Sequence, residues 1–140
     1  MLLFDGKLLM AEYNILSDLP SAQNAISKLP VLTTFVDFII GLEVKMGAPL
    51  LVKKDLSNPV TFSYFHYGNA ARESWDPIAV LYGIMGKDKY FSYSPLGKVF
   101  VRDSGETVFE ASSFGHCRFL RLNVSPLEMT KTLDEIVIEK

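Results

Sequence analysis

Leu29-Pro30-Val31-Leu32-Thr33-Thr34-Phe35-Val36 is where this chain changes character. Upstream, Asp18 to Leu29 reads as a helix. Asp18 caps it, Pro20 sits in the first turn, and Ala22, Ile26 and Leu29 share one face. Pro30 stops it by restricting the residue before it. The β-branched run Val31–Val36 then reads as a buried strand. A helix that hands over to a strand, in a chain with further helices and strands beyond, indicates an α/β fold.

The pattern continues downstream. Asp76 to Met85 reads as a helix with Asp76 at the cap, Pro77 at the first helical position and Ile78, Leu81, Tyr82 and Met85 on one face. Gly86 is placed for its C-terminal cap. Lys98–Val101 and Thr107–Glu110 flank Asp103-Ser104-Gly105, a hairpin signal. Arg118 to Val124 alternates, with Leu120, Leu122 and Val124 on one face. Ser125-Pro126-Leu127-Glu128 is a capping box that opens a closing helix to Ile138, with Met129, Leu133, Ile136 and Val137 as its apolar stripe. Val60–Tyr67 is divided: its composition favours a strand, but Asn58-Pro59 is a helix-start signal. The strand Val31–Val36 finds few partners elsewhere in the chain, which suggests a missing piece.

A length of 140 residues suits a single domain, 1–140. A hydrophobic share of 49% with a net charge of −2 excludes disorder. Fourteen Lys+Arg against 16 Asp+Glu exclude a strongly basic nucleic-acid binder. One cysteine, Cys117, allows no disulfide within the chain and fits a reducing compartment. The N-terminal residues carry no signal-peptide pattern, and charges interrupt every apolar stretch well short of the ~20 residues of a membrane span. The expectation is a cytoplasmic protein with neither nucleic acid nor membrane as a partner.

No phosphate-binding glycine loop, nucleophile elbow or zinc-protease motif is present. His66 and His116 stand apart without a carboxylate-rich frame and read as ordinary surface or core histidines. His116 and Cys117 are strand neighbours that point to opposite faces, which argues against a thiolate–imidazole pair. Two segments carry the chemistry. One is Glu12-Tyr13-Asn14-Ile15-Leu16-Ser17-Asp18-Leu19-Pro20-Ser21-Ala22-Gln23; the other is Arg72-Glu73-Ser74-Trp75-Asp76-Pro77-Ile78-Ala79-Val80-Leu81. Taken singly, Glu12 and Asn14 are polar residues before a helix, Trp75 is an aromatic and Asp76 is a cap.

Together, in this order and spacing, the two segments resemble the inosine–uridine-preferring nucleoside hydrolase family. The resemblance extends over nearly the whole chain through Leu29-Pro30-Val31, Phe38-Ile39-Ile40-Gly41 and the Gly97–Val124 region. It implies the C-terminal half of an open-sheet α/β fold, with a β-hairpin region and a closing helix. It implies substrate-binding roles for Glu12, Asn14 and Trp75 and a calcium ligand at Asp76. It also makes Val60–Tyr67 a helix, and it gathers Glu12, Asn14, Trp75 and Asp76 at one end of a sheet. The expected ligand is a ribonucleoside or a ribose-like small molecule.

The family's N-terminal aspartate cluster, which supplies most calcium ligands and the general base, has no counterpart in this sequence. Trp75 stands where many members have a histidine that assists the leaving base, and tryptophan is no general acid at neutral pH. No catalytic residue is therefore assigned, and calcium is expected only if an N-terminal half is supplied. The sequence-based reading is part of a nucleoside hydrolase-like protein, inactive alone, that forms a homo-oligomer or associates with an N-terminal-half partner. The alternative is a non-catalytic α/β module that binds a ligand or a protein.

Overall fold

Asp18, Asn58 and Ser125 begin helices for the same reason. Each side-chain oxygen accepts a backbone N–H of the first turn: Ser21 to Asp18, Val60 and Thr61 to Asn58, and Glu128 to Ser125. In the computed structural model, which describes residues 11–53, 55–68, 71–87 and 89–138, these caps open three of seven helices. The helices are α1 (Tyr13–Ser17), α2 (Leu19–Ser27), α3 (Phe38–Glu43), α4 (Ala48–Lys53), α5 (Pro59–Tyr67), α6 (Trp75–Met85) and α7 (Pro126–Ile138). The strands are β1 (Thr33–Phe35), β2 (Lys45–Met46), β3 (Arg72–Glu73), β4 (Phe91–Tyr93), β5 (Gly97–Val101), β6 (Thr107–Ala111) and β7 (Cys117–Leu122). The fold is mixed α/β. No helix among the described residues is long and apolar enough to cross a membrane.

The chain packs as two compact units. The first takes its described residues from 11–39 and 92–121. Its sheet runs β1-β7-β5-β6, with β4 also paired to β7. β5 and β6 form the expected hairpin, in register from Gly97↔Ala111 to Val101↔Thr107, and Gly105 turns the chain at φ +82°. Val99, Phe109, Cys117 and Phe119 form the core, with Ile26, Leu29 and Phe35 packed against it. A Cβ on Gly115 would overlap the Gly97 carbonyl, and one on Gly97 would overlap the Phe109 ring and the Glu110 carbonyl.

The strand expected over Val31–Val36 is shorter and less buried. Val31 and Leu32 are 64% and 53% exposed, and only Thr33–Phe35 pair. The partner that local patterning did not supply is β7, which runs parallel with Thr33↔Cys117 and Phe35↔Phe119 in register. Among the described residues β1 stands at the end of the sheet order, as a half-buried edge strand. Nor does β7 follow one alternating face: Cys117, Phe119 and Leu120 are all buried, so both of its faces are covered.

The second unit takes its described residues from 40–91 and 122–138. Val44, Met46, Leu50, Ile78, Leu81, Phe91, Met129 and Leu133 are its buried apolar residues. β2 and β3 pair antiparallel, Lys45 opposite Glu73 and Met46 opposite Arg72. Two N–H groups, one in β2 and one just after it, are met by side chains one helical turn apart on α7. Lys45 donates to Thr130 Oγ1 at 3.2 Å and Gly47 donates to Asp134 Oδ1 at 2.7 Å. That demand rotates α7. Asp134 is buried while Ile136, expected in the apolar stripe, is 41% exposed.

α6 also departs from expectation. It begins at Trp75, with Ser74 as its N-cap, so Asp76 is the second helical residue and not the cap. The Ser74 N–H donates to the Gly41 carbonyl and the Ser74 carbonyl accepts from Ile78, which pins the helix start one turn before Ile78. Val60–Tyr67 is helical, as expected. Asn58 caps two N–H groups, Pro59 fills the first position and Gly68 closes the helix at φ +77°.

Burial pushes the Asp134 carboxyl above its ordinary range, with the Gly47 hydrogen bond acting in the opposite direction. The folded state therefore binds this proton more tightly than the unfolded chain. The resulting stabilisation is complete below the ordinary value of 3.8 and is lost as pH rises through the raised folded value. Asp37, also raised by burial, acts with the same sign. Asp134→Asn keeps an acceptor for Gly47 without a charge. It is expected to flatten the fall in thermal midpoint between about pH 4 and about pH 7, and to be at least as stable as the parent at the upper end. Parallel curves for parent and variant would exclude Asp134 as a source of the slope.

Candidate functional site

Glu12 and Asn14 are brought together by local hydrogen bonding. Glu12 caps α1: its Oε2 accepts the Ile15 N–H at 3.2 Å, while Asn14 Nδ2 donates to Oε1 at 3.0 Å. Both lie in the first unit. Trp75 and Asp76 lie in the second, at the start of α6. The half-buried Trp75 indole rests on the α-carbon of Gly41, and Asp76 is exposed.

Asp76 borders a cleft of about 280 Å³ with Ser63, Tyr64, Tyr67, Arg72, Glu73 and Pro77. α5 supplies Ser63, Tyr64 and Tyr67, β3 supplies Arg72 and Glu73, and α6 supplies Asp76 and Pro77. Tyr64 is held by its ring against the α-carbon of Gly47, which adopts φ +103°. Burial, and then the Asp134 carboxylate, push the Tyr64 phenol up, so it stays a protonated donor at neutral pH. The Arg72 guanidinium lies 4.3 Å from the Tyr67 ring centroid. Glu73 is held ionised, its carboxyl drawn below the usual range by its own backbone N–H and then by Lys45, whose Nζ is 3.3 Å away. Arg72 Nη1 is 3.9 Å from Glu73 Oε2, too far for a hydrogen bond.

The cleft combines a cation, a neutral hydroxyl donor, aromatic walls and a carboxylate at its edge. Sequence reasoning singled out Asp76 and quoted Arg72 and Glu73, but it missed Tyr64 and Tyr67 as site residues. The available signal was Ser63, Tyr64 and Tyr67 within one helical turn of α5. A second cavity of about 320 Å³ lies in the first unit, lined by Gln23, Asn24, Ile26, Ser27, Val99, Phe100 and Val101. None of those side chains ionises near neutral pH.

The other reactive groups are accounted for structurally. His66 sits against the rings of Phe62 and Phe65 at 4.2 Å and 5.5 Å. His116 is exposed, and its carbonyl accepts the Thr33 N–H. Cys117 is buried in the first unit's core, which pushes its thiol up and away from reactivity.

The residues present do not fit a calcium ion by themselves. Calcium takes six to eight oxygen ligands. Asp76 offers at most two, the other carboxylate in the cleft faces Lys45 and Arg72, and no three His, Cys, Asp or Glu side chains converge among the described residues. No family model matches this chain, and neither a curated protein nor a solved structure matches it.

Proposed function

We propose that this chain is a nucleoside hydrolase-like polypeptide that binds a ribonucleoside, or a related ribose-containing molecule, and does not hydrolyse it unaided. The observation that carries the reading is the Asp76 cleft, with one uncommitted carboxylate beside aromatic walls. A carboxylate accepts hydrogen bonds from a ribose diol, and tyrosine rings offer faces to a base. Cleaving an N-glycosidic bond asks for more. The oxocarbenium-like transition state needs a positioned base for the attacking water. The cleft holds no such base, since Glu73 is paired and Asp76 is open to solvent.

In this reading Trp75 serves in substrate contacts and its neighbour Asp76 in metal binding, once a further segment or partner chain brings the aspartate cluster; the substrate roles of Glu12 and Asn14 rest on the resemblance alone. A second copy of the chain, or that N-terminal-half partner, is the expected associate. Incubation of the purified chain with inosine or uridine and calcium is expected to release no ribose above background in a reducing-sugar assay. Titration calorimetry is expected to show weak, saturable inosine binding that Asp76→Asn reduces. Robust calcium-dependent ribose release would overturn the non-hydrolytic reading, and no inosine binding at all would overturn the ligand.

A further inference from the structure

We infer that the molecule taken by the Asp76 cleft carries an oxyanion, so that its ligand is a phosphorylated ribose derivative and not a neutral nucleoside. This rests on the ribose-binding reading above and adds a substrate class to it.

The inference comes from two donor-bearing residues of one cleft, Arg72 and Tyr64, whose side chains make no hydrogen bond among the described residues. Among the described residues, the Arg72 guanidinium makes no hydrogen bond. Its contacts are the Tyr67 ring and the 3.9 Å approach to Glu73. The guanidinium keeps its charge beside the Tyr67 ring, and its N–H groups are not taken up by a hydrogen bond among those residues. A guanidinium presented this way matches the paired oxygens of a phosphate or carboxylate. Tyr64, whose phenol is kept protonated by burial and then by the Asp134 carboxylate, is a second donor-bearing residue of the same cleft. Both are donor groups, and Arg72 has no acceptor lone pair.

The acidic residues do not cancel this preference. Glu73 is countered chiefly by Lys45 at 3.3 Å, with Arg72 further off at 3.9 Å, and Asp134, whose charge reaches Tyr64, accepts the Gly47 N–H and is not among the residues lining the cleft. Asp76 stands exposed at the edge, where it can accept a sugar hydroxyl. A ligand with an oxyanion at one end and hydroxyls at the other satisfies Arg72, Tyr64 and Asp76 together. A neutral nucleoside offers Arg72 no oxyanion.

The test is calorimetric titration of the full chain with inosine, inosine 5′-monophosphate, ribose 5-phosphate and inorganic phosphate at low salt. The monophosphate is expected to bind roughly tenfold tighter than inosine. Arg72→Gln should bring that ratio to about one, Arg72→Lys should leave part of it, and raising the salt concentration should shrink it in the parent. The salt series keeps the test valid if Arg72→Gln does not fold. Equal affinities for inosine and its monophosphate, or a ratio that survives Arg72→Gln or high salt, would overturn the inference while leaving nucleoside binding intact. Inorganic phosphate binding as tightly as ribose 5-phosphate would overturn the sugar phosphate as the ligand class. Binding of none of the four would remove the ribose-binding reading as well.

Discussion

Phe119→Ala is expected to cost roughly 3–5 kcal/mol of stability. Phe119 is 1% exposed and is the aromatic centre of the first unit's core. Its ring stacks on Phe35 at 5.7 Å and meets the edge of Phe109 at 5.1 Å. Its backbone is anchored separately. The Phe119 N–H donates to Ser94 Oγ and its carbonyl accepts the Ser94 N–H, both at 2.9 Å. Those bonds survive truncation, so the strand cannot easily collapse into the space left by the ring. The cavity then adds to the lost transfer energy. A chain of 140 residues has a total stability of roughly 7–20 kcal/mol, so the loss is a large part of it. The thermal midpoint should fall by roughly 10–20 °C. Phe114, 91% exposed, provides the control: its alanine variant should stay within about 0.5 kcal/mol of the parent. Equal losses in the two variants would show that the core is not centred on Phe119.

Gly41→Ala is expected to destabilise by roughly 1–3 kcal/mol and to move the chain's single tryptophan. An added Cβ would overlap Cδ1 and Cγ of the Trp75 indole, the stiff part of the side chain near its own backbone. The ring cannot swing aside alone, because the Gly41 carbonyl accepts the Ser74 N–H at 2.9 Å and ties the two segments together. Either the indole leaves its seat or α3 and the start of α6 separate. Intrinsic fluorescence reads this directly, since Trp75 is half-buried in the parent. An emission maximum shifted towards that of exposed tryptophan, with a lower thermal midpoint, is the expected result. Unchanged emission and stability would show that the indole does not rest on Gly41. Asp76 adjoins Trp75, so the same variant should also weaken binding in the Asp76 cleft.

Helix ends were legible in the sequence where they depend on nearest neighbours. Asp18, Asn58-Pro59 and Ser125-Pro126-Leu127-Glu128 cap their own first turns with their own side chains, and local bonds of this kind leave a pattern in order and spacing. The hairpin at Asp103-Ser104-Gly105 was legible for the same reason, since its turn joins strands only a few residues apart. The helix over Val60–Tyr67 was not legible from composition, which favours a strand. The resemblance supplied that expectation, and cap, proline and left-handed glycine together outweigh the β-propensity of the residues between them.

The remaining features were decided by groups that meet from distant parts of the chain. β1 reads locally as a buried central strand, yet its place is set by β7, more than 80 residues later, which leaves it at an edge. The cap of α6 is Ser74 and not Asp76, and Ser74 is fixed by its bond to Gly41 across more than 30 residues. α7 buries Asp134 in preference to Ile136 because the buried Gly47 N–H needs an acceptor, and an unpaired buried N–H costs more than one exposed isoleucine. The cleft follows the same logic. Asp76 and Arg72 were visible as residue types, but a cleft requires α5 to bring Tyr64 and Tyr67 to β3 and α6, and helical spacing alone does not specify which neighbour a face meets. The sequence by itself determined where the chain turns, caps and alternates, because those choices are made within a few residues. Which faces are buried, which described strand stands at an edge and which residues share a cleft were decided only in the tertiary structure, where hydrogen-bonding groups far apart in sequence must be satisfied together.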